Sequence, residues 1–116
     1  MLFKIEGEDT KAILAALQEY QKDAEEEYKK ELPGGIAKIK AIQSISPVHF
    51  DVPLPDELIM LSYEENGAVF FRIAVYIPRI MRVLGRIRKM EKNLKEFLSE
   101  KGFKDIKVKL IEEENA

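Results

Sequence analysis

The chain has 116 residues, 46% hydrophobic and 34% charged, with 19 basic and 21 acidic side chains summing to a formal charge of -2. That length and composition fit one folded domain and exclude a disordered chain. The absence of cysteine excludes a disulfide framework, a thiolate metal site and a cysteine nucleophile.

No apolar run approaches the roughly 20 residues that span a bilayer, and MLFKIEGED lacks the pattern of a secretory leader. A soluble, cytoplasmic protein without cofactor or membrane partner is therefore expected. Lys, Glu and Arg are abundant while Asn, Gln and Trp are scarce or absent, a balance that resembles heat-adapted proteins.

In LFKIE, residues 2–6, Phe3 and Ile5 alternate with Lys4 and Glu6, which predicts a short strand. EDTKAILAALQEYQKDAEEEYKKEL, residues 8–32, spaces Ile13, Leu17, Tyr20, Ala24 and Tyr28 as one face of a helix, with acids near its start where the helix dipole favours them. Pro33 and two glycines in LPGG should end it.

IAKIKAIQSI, residues 36–45, is β-branched and reads as a strand with Ala37, Ile39, Ala41 and Ile45 opposite Lys38 and Lys40. The three-residue recurrence of Ile36, Ile39 and Ile42 keeps a helical alternative open. SPVHFDVPLPDE, residues 46–57, holds Pro47, Pro53 and Pro55 and predicts a stiff extended loop.

LIMLSY and AVFFRIAVYI flank EENG, and Asn66-Gly67 is a turn pair that supplies positive φ for a tight hairpin. Both faces of the second run carry apolar area, so a central strand is expected. Pro78 suits the first turn of a second helix, and Gly102 its C-terminal cap. KDIKVKLIEE then predicts a last strand with Ile106, Val108 and Leu110 inward and Lys107 and Lys109 outward.

The order β-α-β-β-β-α-β predicts one α+β domain over residues 1–111, with an antiparallel or mixed sheet of about five strands and both helices on one face. Residues 112–116 read as a frayed acidic tail. If the strand at 36–45 is an addition, the remaining order is the split βαβ arrangement of ferredoxin-like folds, a scaffold shared by many unrelated functions.

Charge is unevenly distributed. Positions 1–78 carry 8 basic and 14 acidic side chains, positions 79–110 carry 11 and 4, and three acids lie beyond. RIMRVLGRIRKMEKNLK, residues 79–95, holds seven basic residues against one acid. Its apolar stripe is Ile80, Val83, Ile87, Met90, Leu94 and Phe97, at steps of three and four, and the cations avoid it.

Phosphate contacts dominate nucleic-acid affinity. Arg79, Arg82, Arg86, Arg88, Lys89 and Lys92 are therefore the candidate contacts for a non-catalytic module that binds nucleic acid, RNA above DNA. A solvated helix face explains the same residues. Alternatively, the acidic DAEEEY, with Asp23, Glu25, Glu26 and Glu27, meets the basic helix of a second copy or another protein, giving an assembly subunit or homo-oligomer.

Three weaker signals remain. Phe70 and Tyr76 flank Arg72 on one strand face and could stack RNA bases beside Phe3. LGRIRK resembles the GxxG phosphate clamp of KH domains but lacks the second glycine, and Gly85 reads instead as a close-packing or bending position. His49 stands two residues from Asp51, near Ser44 and Ser46, an arrangement open to catalysis, but the default reading is a loop histidine partly covered by prolines and no catalytic residue is assigned; a single histidine builds no multi-histidine metal site.

Overall fold

The computed structural model describes residues 1–31, 38–44, 53, 57–75 and 80–112. The LPGG helix stop, the proline loop with His49 and Asp51, Tyr76, Pro78, Arg79 and residues 113–116 lie outside the described residues, Pro53 excepted, which is buried.

Five strands and two helices follow the expected order: β1 (Leu2–Glu6), α1 (Thr10–Glu31), β2 (Lys38–Ser44), β3 (Glu57–Glu65), β4 (Ala68–Val75), α2 (Ile80–Glu100) and β5 (Lys107–Glu112). They form one sheet in the order β2-β3-β4-β1-β5. All neighbours are antiparallel except β2 and β3. Without β2, the remaining order β3-β4-β1-β5 with its two helices is the split βαβ arrangement, so β2 is an added edge strand.

Alternation decides which side of each strand meets the helices. Phe3 faces Phe71, Ile5 faces Val69, Met60 faces Ile73 and Leu58 faces Val75. All eight are buried in the core that also takes Ile13 and Leu17 from α1 and Met90, Leu94 and Leu98 from α2. Both helices therefore lie on one face. Tyr20 links them to the sheet, its ring centroid 6.0 Å from Phe71 and 5.2 Å from Phe97.

The hairpin forms as its turn residues predict. Asn66 at φ 49° and Gly67 at φ 76° make the turn, and Glu65 pairs with Ala68 across it. β4 occupies the centre of the sheet. Ile39 to Ser44 pair in parallel with Leu58 to Tyr63, which resolves residues 38–44 as strand and dismisses their helical alternative.

α1 starts as expected, with acids beside its N-terminus: Asp9 is the cap, accepting from the Ala12 N–H through Oδ1 at 3.0 Å and from the Ile13 N–H through its carbonyl at 3.0 Å. α2 ends as expected: Gly102, at φ 97°, donates its N–H to Ser99 O, and the Phe103 N–H reaches Leu98 O, both at 3.1 Å. This pair of bonds is a Schellman cap, and Phe103 packs on the core behind it.

Two readings of particular residues are corrected. Phe3 is 1% exposed on the helix side of the sheet, so it stands in the core and stacks no ligand. Gly85 is exposed, and a Cβ added there would meet nothing within 4 Å, so close packing does not require it.

Candidate nucleic-acid interface

The buried stripe of α2 sets the position of its cations. Met90, Leu94 and Leu98 turn into the core, leaving Arg88, Lys89, Lys92 and Lys95 exposed. Arg82 and Arg86 occupy α2 seven and three residues before Lys89, a spacing that continues its flank, while Arg79 precedes the described helix. Acids interrupt the face further along: Glu91, Glu96 and Glu100 are exposed, and Lys92 lies 3.8 Å from Glu96 one turn on. With those side chains 80% and 59% exposed, water screens the pair and leaves Lys92 accessible to another anion.

The acidic part of α1 does not stand apart from this helix. A groove of about 340 Å³ separates α1 from α2, walled by Tyr20, Asp23, Ala24 and Glu27 on one side and by Gly85, Lys89, Met90 and Asn93 on the other. Asp23 and Glu27 thus share a cleft with Lys89 of the same chain. Lys101 reaches both carboxylate oxygens of Glu19 at 2.9 Å and lies 5.4 Å above the Phe97 ring.

A second group of cations lies on the opposite face of the sheet. One register row runs through all five strands as Ser44, Tyr63, Phe70, Lys4 and Lys109. Tyr63 and Phe70 stack there with ring centroids 5.3 Å apart and planes 14° from parallel. Arg72 sits two residues from Phe70 on the same side. The strand pattern identified Phe70 and Arg72 but missed Tyr63. Counting back from the two-residue turn would have found it, because a turn at Asn66-Gly67 places residue 63 opposite residue 70.

Polar groups under α1 are fully engaged. Ser62 Oγ donates to Gln21 Oε1 at 2.9 Å and accepts from Gln43 Nε2 at 3.0 Å; Gln43 also donates to Leu14 O, and Gln21 Nε2 to Ile42 O at 3.1 Å. Among the described residues, no buried side-chain nitrogen or oxygen lacks a partner, and no group of three His, Asp or Glu side chains is placed to hold a metal ion. No helix among them is long and apolar enough to cross a membrane.

No family model, curated protein or solved structure matches this chain.

Proposed function

We propose that the protein is a non-catalytic module that binds nucleic acid, RNA in preference to DNA, through the basic face of α2. Arg79, Arg82, Arg86, Arg88, Lys89 and Lys92 are the contacts. The observation that carries this reading is the exposure of Arg88, Lys89 and Lys92 on a helix whose other side, at Met90, Leu94 and Leu98, is anchored in the core. A helix held in this way presents its cations from a fixed base, and phosphate contacts need little further geometry to add affinity.

Fluorescence anisotropy of a labelled single-stranded RNA, titrated at several salt concentrations, tests it. Each neutralised phosphate contributes about -0.7 to the slope of log affinity against log salt, so three to six contacts give a slope of roughly -2 to -4. Replacement of Arg82, Arg86 and Arg88 by glutamine should flatten the slope by about 2 on that scale. An unchanged slope would remove α2 as the contact.

A homo-oligomer is the second reading, favoured by the outer edge of β5, which has no neighbouring strand among the described residues. Ile111 on that strand is 45% exposed, the large hydrophobic most open to solvent among the described residues. Light scattering at low and high salt checks this reading, and a monomer at every concentration would end it.

A further inference from the structure

We infer that the face of the sheet opposite α1 and α2 holds a second, separate nucleic-acid site: a stacking platform for unpaired bases centred on Tyr63 and Phe70, with Lys4, Lys109 and Arg72 taking the adjoining phosphates. The platform lies on the far side of the sheet from α2, so it stands or falls independently of the helix.

Boundaries on both sides define the strip. On the Arg72 side the face is closed, since Leu2, Ile59, Leu61 and Ala74 are all buried. On the hairpin side the next same-face positions are Glu65, Ala68, Glu6 and Lys107, with Glu6 3.3 Å from Lys4. Between these limits Tyr63 and Phe70 are half-buried, Lys4 is partly exposed and Lys109 is exposed. The row from Tyr63 to Lys109 crosses three strand intervals, about 14 Å, enough for a short single strand to run across β3, β4, β1 and β5.

An aromatic cross-strand pair stabilises any hairpin, and that alone would not suggest a ligand. The neighbours distinguish this one. Phe70 is followed along the row by Lys4 and then Lys109, cations in direct register. Like charges placed opposite one another are unfavourable; Glu6, 3.3 Å from Lys4, offsets part of that repulsion, and a phosphate over Lys109 would offset the rest. Flat rings beside such cations match an unpaired base with its phosphate: every base has a face to stack, and the phosphates supply the counter-charge.

Photocrosslinking of an oligouridine carrying 4-thiouridine, with the attachment sites mapped by mass spectrometry, separates the two surfaces. Attachment at Tyr63 or Phe70 is expected. Anisotropy with the same oligomer should show about tenfold weaker binding for Phe70→Leu. The exposed-site variant Lys109→Glu should also bind several-fold more weakly, with an unchanged melting curve guarding against loss of fold. A duplex of equal length should be insensitive to Phe70→Leu, because its bases are already stacked. Crosslinks confined to α2, with both variants binding like the original, would overturn the platform and leave the helix reading standing. Failure of the oligomer to bind at low salt would overturn both.

Discussion

Ser62 and Gln21, 41 residues apart in sequence, meet under α1 at 2.9 Å, hydroxyl to amide oxygen, with both residues at most 2% exposed. The same hydroxyl accepts from Gln43, so one oxygen joins α1, β3 and β2. Ser62→Ala removes a donor and an acceptor at once and strands an oxygen of Gln21 in the interior. A buried group left unsatisfied costs about 1 to 3 kcal/mol. Urea unfolding should register a loss in that range, whereas a loss below 0.5 kcal/mol, on the order of an ordinary surface substitution, would mean that water replaces the missing partner.

The network also fixes β2, an edge strand paired only with β3 among the described residues. A slip of one residue would turn Gln43 away from Leu14 and Ser62 and Ile39 away from the core. Gln43→Ala is therefore expected to accelerate amide hydrogen exchange along Lys38–Ser44 while leaving β1 and β4 protected. Equal acceleration in all three strands would show that the network supports global stability and does not act on β2 specifically.

Gly7 and Gly85 should respond to alanine in opposite directions. A Cβ at Gly7 would lie 2.6 Å from Ile13 Cδ1 and 2.7 Å from Ile106 Cδ1, two buried side chains with little room to retreat. Overpacking of this kind costs about 1 to 3 kcal/mol. At Gly85 the added methyl meets nothing within 4 Å, and alanine is favoured over glycine inside a helix by about 1 kcal/mol. Gly85→Ala should raise the melting temperature by a few degrees and Gly7→Ala should lower it, as circular dichroism would show.

The contrast between these glycines shows where sequence reading succeeds. Local signals were reliable: the alternation of Phe3 and Ile5 with Lys4 and Glu6, the Asn66-Gly67 turn and the Gly102 cap each depend on neighbours within a few residues, and each appears as expected. Residues 38–44 carried two competing periods, and the decision came from pairing with Leu58 to Tyr63, which no local window contains. Gly85 looked like a packing position because glycine inside a helix is unfavourable, yet its surroundings depend on how far α1 stands from α2.

The candidate site divides in the same way. Spacing alone keeps Arg88, Lys89 and Lys92 off the apolar stripe, and they are exposed. The meeting of Lys89 with Asp23 and Glu27 in one groove depends on the antiparallel packing of two helices about sixty residues apart, so the acidic patch looked available to another molecule. Phe3 was assigned to the stacking face for want of the register that sets it against Phe71 on the helix side.

What holds the two helices together can be decided by magnitude. Lys101 makes two 2.9 Å contacts with Glu19, but the side chains are 40% and 57% exposed, and ion pairs at such positions contribute about 0 to 1 kcal/mol and are screened by salt. Tyr20 places its ring against Phe71 and Phe97, and losing a large aromatic from a packed cluster costs up to about 3 to 5 kcal/mol, somewhat less for a ring that is only partly buried. Tyr20→Ala should thus destabilise the protein by about 2 to 3 kcal/mol at any ionic strength. Lys101→Ala should cost under about 1 kcal/mol, part of it lost packing over Phe97, and the remainder should shrink between 0.05 and 1 M salt, on the order of a fully screened pair. Parallel urea titrations of the two variants at both salt concentrations provide the check. A larger and salt-sensitive loss for Lys101→Ala would transfer the clamp from the aromatic cluster to the ion pair.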